Sequence, residues 1–242
     1  MSNYKLIIQY DGTDYTGWQT QSGTRTIQQT ITDSIEVIIK ERVNLIGSGR
    51  TDTGVHAIGQ TANFRTETDI DIYKFKHSLN SVLPFDISVT QMEKTGQEFH
   101  ARFDARKRTY IYILSKHKSP FFRKYAYHYY ENLSIELLNS ISKIFIGSKD
   151  YSSFCRKNEE VDNKICEIYD AIWYEKDELT IFEISANRFL HGMVRTITGT
   201  ILKAAKMNNN INYIEKIFSE KSREAAPMAV PAHGLFLFKV EY

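Results

Sequence analysis

Cysteine and proline are scarce in this chain of 242 residues, which holds two of the first and four of the second. Two thiols, Cys155 and Cys166, make no disulfide framework and their spacing fits no zinc pattern, so a reducing cytosol is the expected setting. No uncharged apolar run approaches the roughly 20 residues of a membrane-spanning helix. The opening MSNYKLIIQYDGTDYTGW lacks a basic stretch followed by an apolar signal core. These absences exclude disulfide-rich secreted and integral-membrane classes and lead to the expectation of a cytoplasmic protein. A strong charge of one sign is also missing. The 31 Lys and Arg face 29 Asp and Glu, leaving a formal net charge of +2, so only the distribution of charge bears on a nucleic-acid partner. What is present is ordinary globular composition, 42% hydrophobic and 25% charged, in a chain long enough to fold without a disulfide or metal.

Periodicity predicts mixed elements throughout. Tyr4–Tyr10 reads as a strand ending at Asp11-Gly12, and Ile27, Ile31, Ile35, Ile38 and Ile39 recur at helical spacing over Thr26–Glu41. Short strands are expected at Val43–Ile46 and Gly59–Phe64, a helix at Ile72–Leu83 before Pro84, and strands at Ile87–Met92 and Arg108–Leu114. The second half repeats the order, with a strand at Tyr125–Tyr130 and a helix at Ser134–Phe145. A hairpin follows at Ile168–Tyr174 and Leu179–Ser185, then helices at Leu190–Lys206 and Asn212–Ser219 and a closing strand at Leu235–Val240. The expected fold class is α+β, two related sheet-plus-helix halves packed side by side with a cleft between them. With the joint placed at His117-Lys118-Ser119-Pro120, the halves are residues 1–117 and 118–242.

Three stretches carry candidate chemistry. Gly47–Gln60, GSGRTDTGVHAIGQ, sets Arg50, Asp52 and His56 among four glycines. Its spacing alone favours an aspartate that caps a turn or a helix. The Gly-x4-Gly frame from Gly54 has Gln60 where a phosphate-binding loop requires lysine, which weakens a nucleotide-handling reading, and too few ligands gather for a metal. From His100 to Tyr130, Arg102, Arg106, Lys107, Arg108, Lys116, Lys118, Arg123 and Lys124 face one acid, Asp104, and alternate with aromatic residues. Such a strip suits an RNA backbone with rings available for unpaired bases. Asn187–Arg195 places Arg188 and Arg195 in apolar surroundings, where a guanidinium usually has a carboxylate or phosphate partner.

Together, Arg50-Thr-Asp52-x-Gly54-Val-His56-Ala, Arg108-Thr-Tyr110-Ile-Tyr112 and Phe189-Leu-x-x-Met193-Val-Arg195 closely resemble the tRNA pseudouridine synthase A family, in order and across the whole chain. Phe99-His-Ala-Arg102-Phe103, Tyr151-Ser-Ser-Phe154 and the closing Ala226-Pro227 and Gly234-Leu235 belong to the same match. The resemblance implies the pseudouridine synthase fold and cofactor-free, metal-free conversion of uridine to pseudouridine in the anticodon stem-loop of tRNA, at family positions 38–40. It implies that Asp52 is the catalytic carboxylate and Arg195 its partner, that Tyr110, Arg50 and His56 contact substrate, and that a homodimer shares the tRNA. Arg102, Arg106, Lys107 and Arg108 are the candidates for RNA-backbone contact. A non-catalytic RNA-binding protein on the same scaffold is the alternative.

Overall fold

The computed structural model describes residues 1–132, 134–156, 162–207 and 211–242. Two compact units divide the chain, one formed by Met1–Arg106 with Leu237–Tyr242 and the other by Lys107–Phe236.

In the first unit, β1 (Ser2–Tyr10) alternates, and Tyr4, Leu6, Ile8 and Tyr10 are all buried. It pairs antiparallel with β3 (His56–Thr66), Leu6 opposite Ala62, and with β4 (Ile87–Thr95), Leu6 opposite Met92. A two-residue strand β2 (Ile46–Gly47) borders β3, and so does β10 (Leu235–Glu241). Helix α1 (Ile27–Ile39) starts where the Thr26 hydroxyl accepts from the Gln29 N–H, and buries the isoleucines at 27, 31 and 35. Asp71 caps α2 (Ile72–Val82) through the Lys74 N–H, and the helix buries Phe75 and Leu79. It stops before Pro84, as the steric bar on a helical residue preceding proline requires.

The second unit orders its main strands as β5 (Lys107–Ser115), β9 (Leu179–Ala186), β8 (Ile165–Lys176) and β7 (Gly147–Asp150), all antiparallel. Asp177, at φ 55°, makes the tight β8–β9 turn. One face of this sheet receives α3 (Ile135–Ser142) and α4 (Met193–Lys206). There Trp173 stacks on Phe182 at 4.5 Å and donates from Nε1 to the Ser142 hydroxyl at 2.9 Å. Phe145, Tyr151, Phe154 and Phe218, the last from α5 (Ile211–Glu220), form an aromatic cluster. The opposite sheet face leaves Ile172 and Tyr174 exposed.

The joint falls at 106/107 rather than at 117/118. β5 pairs with β9 from Arg108 opposite Ala186 to Ser115 opposite Leu179, which ties the whole strand to the second unit. The last residues of β10 return to the first unit, where the Glu241 carbonyl accepts from the Arg106 N–H at 2.8 Å. The strand expected at Val43–Ile46 shrinks to Ile46–Gly47, and only Tyr127–His128 of Tyr125–Tyr130 pairs, as β6, parallel to β5. The helix expected from Leu190 begins at Met193, because Gly192 takes a left-handed φ of 71°.

Gly59 lies where a Cβ would stand 2.4 Å from the Phe238 carbonyl oxygen. Gly59→Ala is therefore expected to destabilise the protein by about 1–3 kcal/mol through overpacking, and to raise amide exchange along 237–241. Unchanged stability in urea titrations, with unchanged exchange, would show that β10 is not held at that distance.

Candidate active site

The Asp52 loop is built by three backbone segments. Ser48 donates its N–H to the Thr61 carbonyl at 2.7 Å, and the buried Gln60 side chain bonds both the Ser48 hydroxyl and the Gly49 carbonyl. Thr51 is held twice, by its carbonyl accepting from the Trp18 N–H at 3.1 Å and by its hydroxyl 2.8 Å from that of Tyr10. The Asp52 carbonyl then accepts from the Val55 N–H at 3.1 Å, closing a turn in which Gly54 has φ +75°. Gly12 packs beneath, so close that a Cβ there would lie 2.0 Å from the Val55 carbonyl oxygen.

His56 is 1% exposed. Its Nδ1 stands 3.1 Å from the Gly12 N–H nitrogen and 3.1 Å from Asp11 Oδ1. One ring nitrogen cannot serve both at once. Without a proton it accepts from Gly12, and with one it donates to Asp11. Either bond straps the Asp11–Gly12 segment to the start of β3, so the imidazole is a strut of the loop. Asp52, at the head of the turn, is half-buried, and Arg50 is exposed. The chain after Gly54 enters β3 directly, with no helix N-terminus facing the glycines, so the strand–loop–helix geometry of a nucleotide phosphate loop is not formed.

The second unit assembles Tyr110, Phe189 and Arg195. Tyr110 and Tyr112 point to one face of β5 by alternation. Tyr110 is buried and meets Phe189 edge-on, ring centres 5.2 Å apart, and the Tyr112 hydroxyl donates to the Pro231 carbonyl at 2.8 Å. Arg195, in the first turn of α4, donates from Nε to the Val230 carbonyl at 2.8 Å, while its own carbonyl accepts from the Val230 N–H. Residues 230–231 thus clamp both the guanidinium and the Tyr112 hydroxyl. Burial holds the Tyr112 phenol well above its usual range, with the Arg195 charge opposing. Among the described residues, no three His, Cys, Asp or Glu side chains group as a metal ion would need.

The other sequence candidates divide by environment. Arg102 and Arg106 are exposed, the first with its guanidinium 5.8 Å from the Phe103 ring centre. Lys107 pairs with Asp170 at 3.6 Å, and Arg108 donates to the Asn187 carbonyl at 2.7 Å. Nη2 of Arg188 donates to the backbone carbonyls of Asn163 and Ile165. The residues missed in the sequence are Phe189 as ring partner, the Val230 and Pro231 carbonyls, and His233. A carbonyl clamp carries no side-chain identity, so no pattern could have announced it.

Comparison with known proteins gives the class. A family model described as tRNA pseudouridine synthase matches residues 6–104 and 141–242. The chain belongs to the tRNA pseudouridine synthase family. It is 42% identical over 248 residues to "tRNA pseudouridine synthase A" of Caldicellulosiruptor saccharolyticus, covering 100% of both chains. It is 38% identical to the proteins of that name in Bacillus licheniformis and Bacillus subtilis, covering 98% of each chain in both pairs.

His233 yields a pH prediction. Burial lowers its pKa from the ordinary 6.5, Arg195 acts in the same direction, and a hydrogen bond to the Ala126 backbone opposes them. Between the folded value and 6.5 the unfolded chain binds more protons, so stability falls as pH drops through this window. Urea unfolding at about pH 7.5 and about pH 5.5 is expected to show a smaller acid loss for His233→Asn than for the wild type. Equal losses would mean that the ring is not buried as described.

Proposed function

We propose that this chain converts uridine to pseudouridine in the anticodon stem-loop of tRNA, at positions 38–40, with Asp52 as the catalytic carboxylate. The observation that carries this reading is the mounting of Asp52. It heads a turn held at Thr51, Val55 and His56 by separate hydrogen bonds, which is the rigidity a reacting group needs.

A stacked uracil is out of reach of any side chain, so the nucleotide must first leave the helix at a cost of a few kcal/mol. The exposed Arg50 fills the vacated space and holds phosphate. The N1–C1′ bond then breaks, the detached base turns, and a C5–C1′ bond forms. Asp52 serves by attack at C1′ or C6, or by removing a sugar proton to give a glycal. Each route needs an ionised carboxylate in a partly desolvated site, and Arg195 supplies the counter-charge. Tyr110, its ring already set by Phe189, stacks on the uracil and retains it between the two bond changes. His56 acts from beneath, through the backbone it straps. No step calls for a metal or cofactor.

Asp52→Asn is expected to keep tRNA affinity within about twofold while lowering kcat at least about 1,000-fold. Mass spectrometry of digested tRNA after incubation measures the product. Wild-type turnover in that variant would leave the alternative, a protein that only binds RNA.

Arg102 and Arg106 are the backbone contacts best supported by their exposure. Replacing both arginines by alanine is expected to flatten the slope of log affinity against log salt by about 1.4–1.8. An unchanged slope would put the phosphates elsewhere. On this reading the chain acts in the cytoplasm as a homodimer. Its buried cysteines, Cys155 and Cys166, suit the first statement. The uncovered sheet face around Ile172, 51% exposed, suits the second.

A further inference from the structure

Leu114 lies four residues beyond Tyr110 on β5, about 13 Å along the strand at 3.3 Å per residue. There the second unit holds a pocket of about 170 Å³ lined by Leu114, Lys116, His117, Thr180 and the consecutive residues Tyr129, Tyr130, Glu131 and Asn132. It is smaller than the roughly 300–1,000 Å³ of sites that enclose a whole drug-sized ligand, so it suits one planar ring with the remainder outside.

Two features of its wall call for a ligand. Tyr129 is 8% exposed, and its Oη meets no hydrogen-bond partner of good geometry among the described residues, although the Lys206 ammonium lies near enough to interact with it. An unsatisfied buried hydroxyl costs about 1–3 kcal/mol. The rest of this residue is firmly placed: its N–H donates to the Ser115 carbonyl at 3.0 Å, and Lys206 Nζ lies 5.4 Å from its ring centre while pairing with Glu131. Burial raises the phenol above its ordinary pKa, which keeps the hydroxyl protonated and able to donate. Tyr130 is the opposite case, a ring 79% exposed beside the pocket mouth. An aromatic face in water next to a buried donor, with Lys116 and His117 on the same wall, matches what an unpaired nucleotide presents: a flat base, a polar edge and a phosphate.

We propose that this pocket binds an unpaired base of the RNA substrate at a position other than the reacting uridine. Tyr130 stacks on the base, Tyr129 Oη and the Asn132 amide bond its edge, and His117 holds the adjoining phosphate together with Lys116, which must turn from its 2.6 Å pair with Glu175 to do so. The site rests on the tRNA-modifying reading for its ligand class, and it extends the contact surface along β5 beyond the reacting group.

Tyr130→Ala and Tyr129→Phe, in the full chain, test it with an unmodified tRNA transcript and a single-stranded pentanucleotide as probes. Loss of the stacking ring is expected to raise Kd and KM for tRNA about tenfold at unchanged kcat. Removing the hydroxyl is expected to raise them about threefold at unchanged or higher Tm, and the pentanucleotide is expected to shift the NMR signals of residues 129–132 in the wild type only. If Tyr129→Phe raises Tm and both variants bind RNA like the wild type, the hydroxyl is merely unsatisfied and the proposal fails. If the wild type binds RNA through these residues but forms no pseudouridine, the pocket stands and the catalytic reading fails instead.

Discussion

Because position 12 carries no Cβ, the backbone there approaches Val55 to a distance that any side chain would block, by about 2 Å from its carbonyl oxygen. The Asp11–Trp18 segment can therefore lie directly against residues 51–56 and exchange hydrogen bonds with them: Trp18 to Thr51, Gly12 to His56. A loop that would otherwise sample many conformations is held from below and from the side. The backbone position of Asp52 follows from that contact, and the chemistry proposed for the chain depends on it.

In the second unit the comparable constraint is the extended segment at 230–231. A single stretch of backbone accepts from Arg195 and from Tyr112, and so sets a guanidinium and a phenol in fixed relation on one face of β5. Its Arg195 clamp uses Nε, a donor that lysine does not offer in this geometry. The edge contact of Phe189 with Tyr110 extends the same face, and the Tyr129–Tyr130 pocket lies further along that strand. The β5 sequence places Lys107 and Arg108 at its start and Tyr110 and Tyr112 on one face beyond them.

Much of the fold was legible because it rests on local rules. The five isoleucines over residues 27–39, the stop before Pro84 and the Lys176-Asp177 turn all carry their structure in their spacing. The joint was misread at 117/118 because Ser119-Pro120 looks like a linker, whereas β5 is bound by ladder hydrogen bonds to a strand some 70 residues later. The two carbonyls that Arg188 meets are acceptors that every residue owns and no sequence distinguishes.

By itself the sequence determined the family, since Arg50-Thr-Asp52-x-Gly54-Val-His56 and its companions are side-chain identities at set intervals, and reaction chemistry is written in side chains. It also determined the alternation of helix and strand, which depends on neighbours three or four residues away. Only the tertiary structure decided that His56 is a buried strut, that residues 230–231 clamp Arg195, and that Tyr129 keeps an unsatisfied hydroxyl beside an open ring. Each of these depends on backbone atoms or voids brought together from distant parts of the chain, and neither a carbonyl nor an empty space has a letter in the sequence.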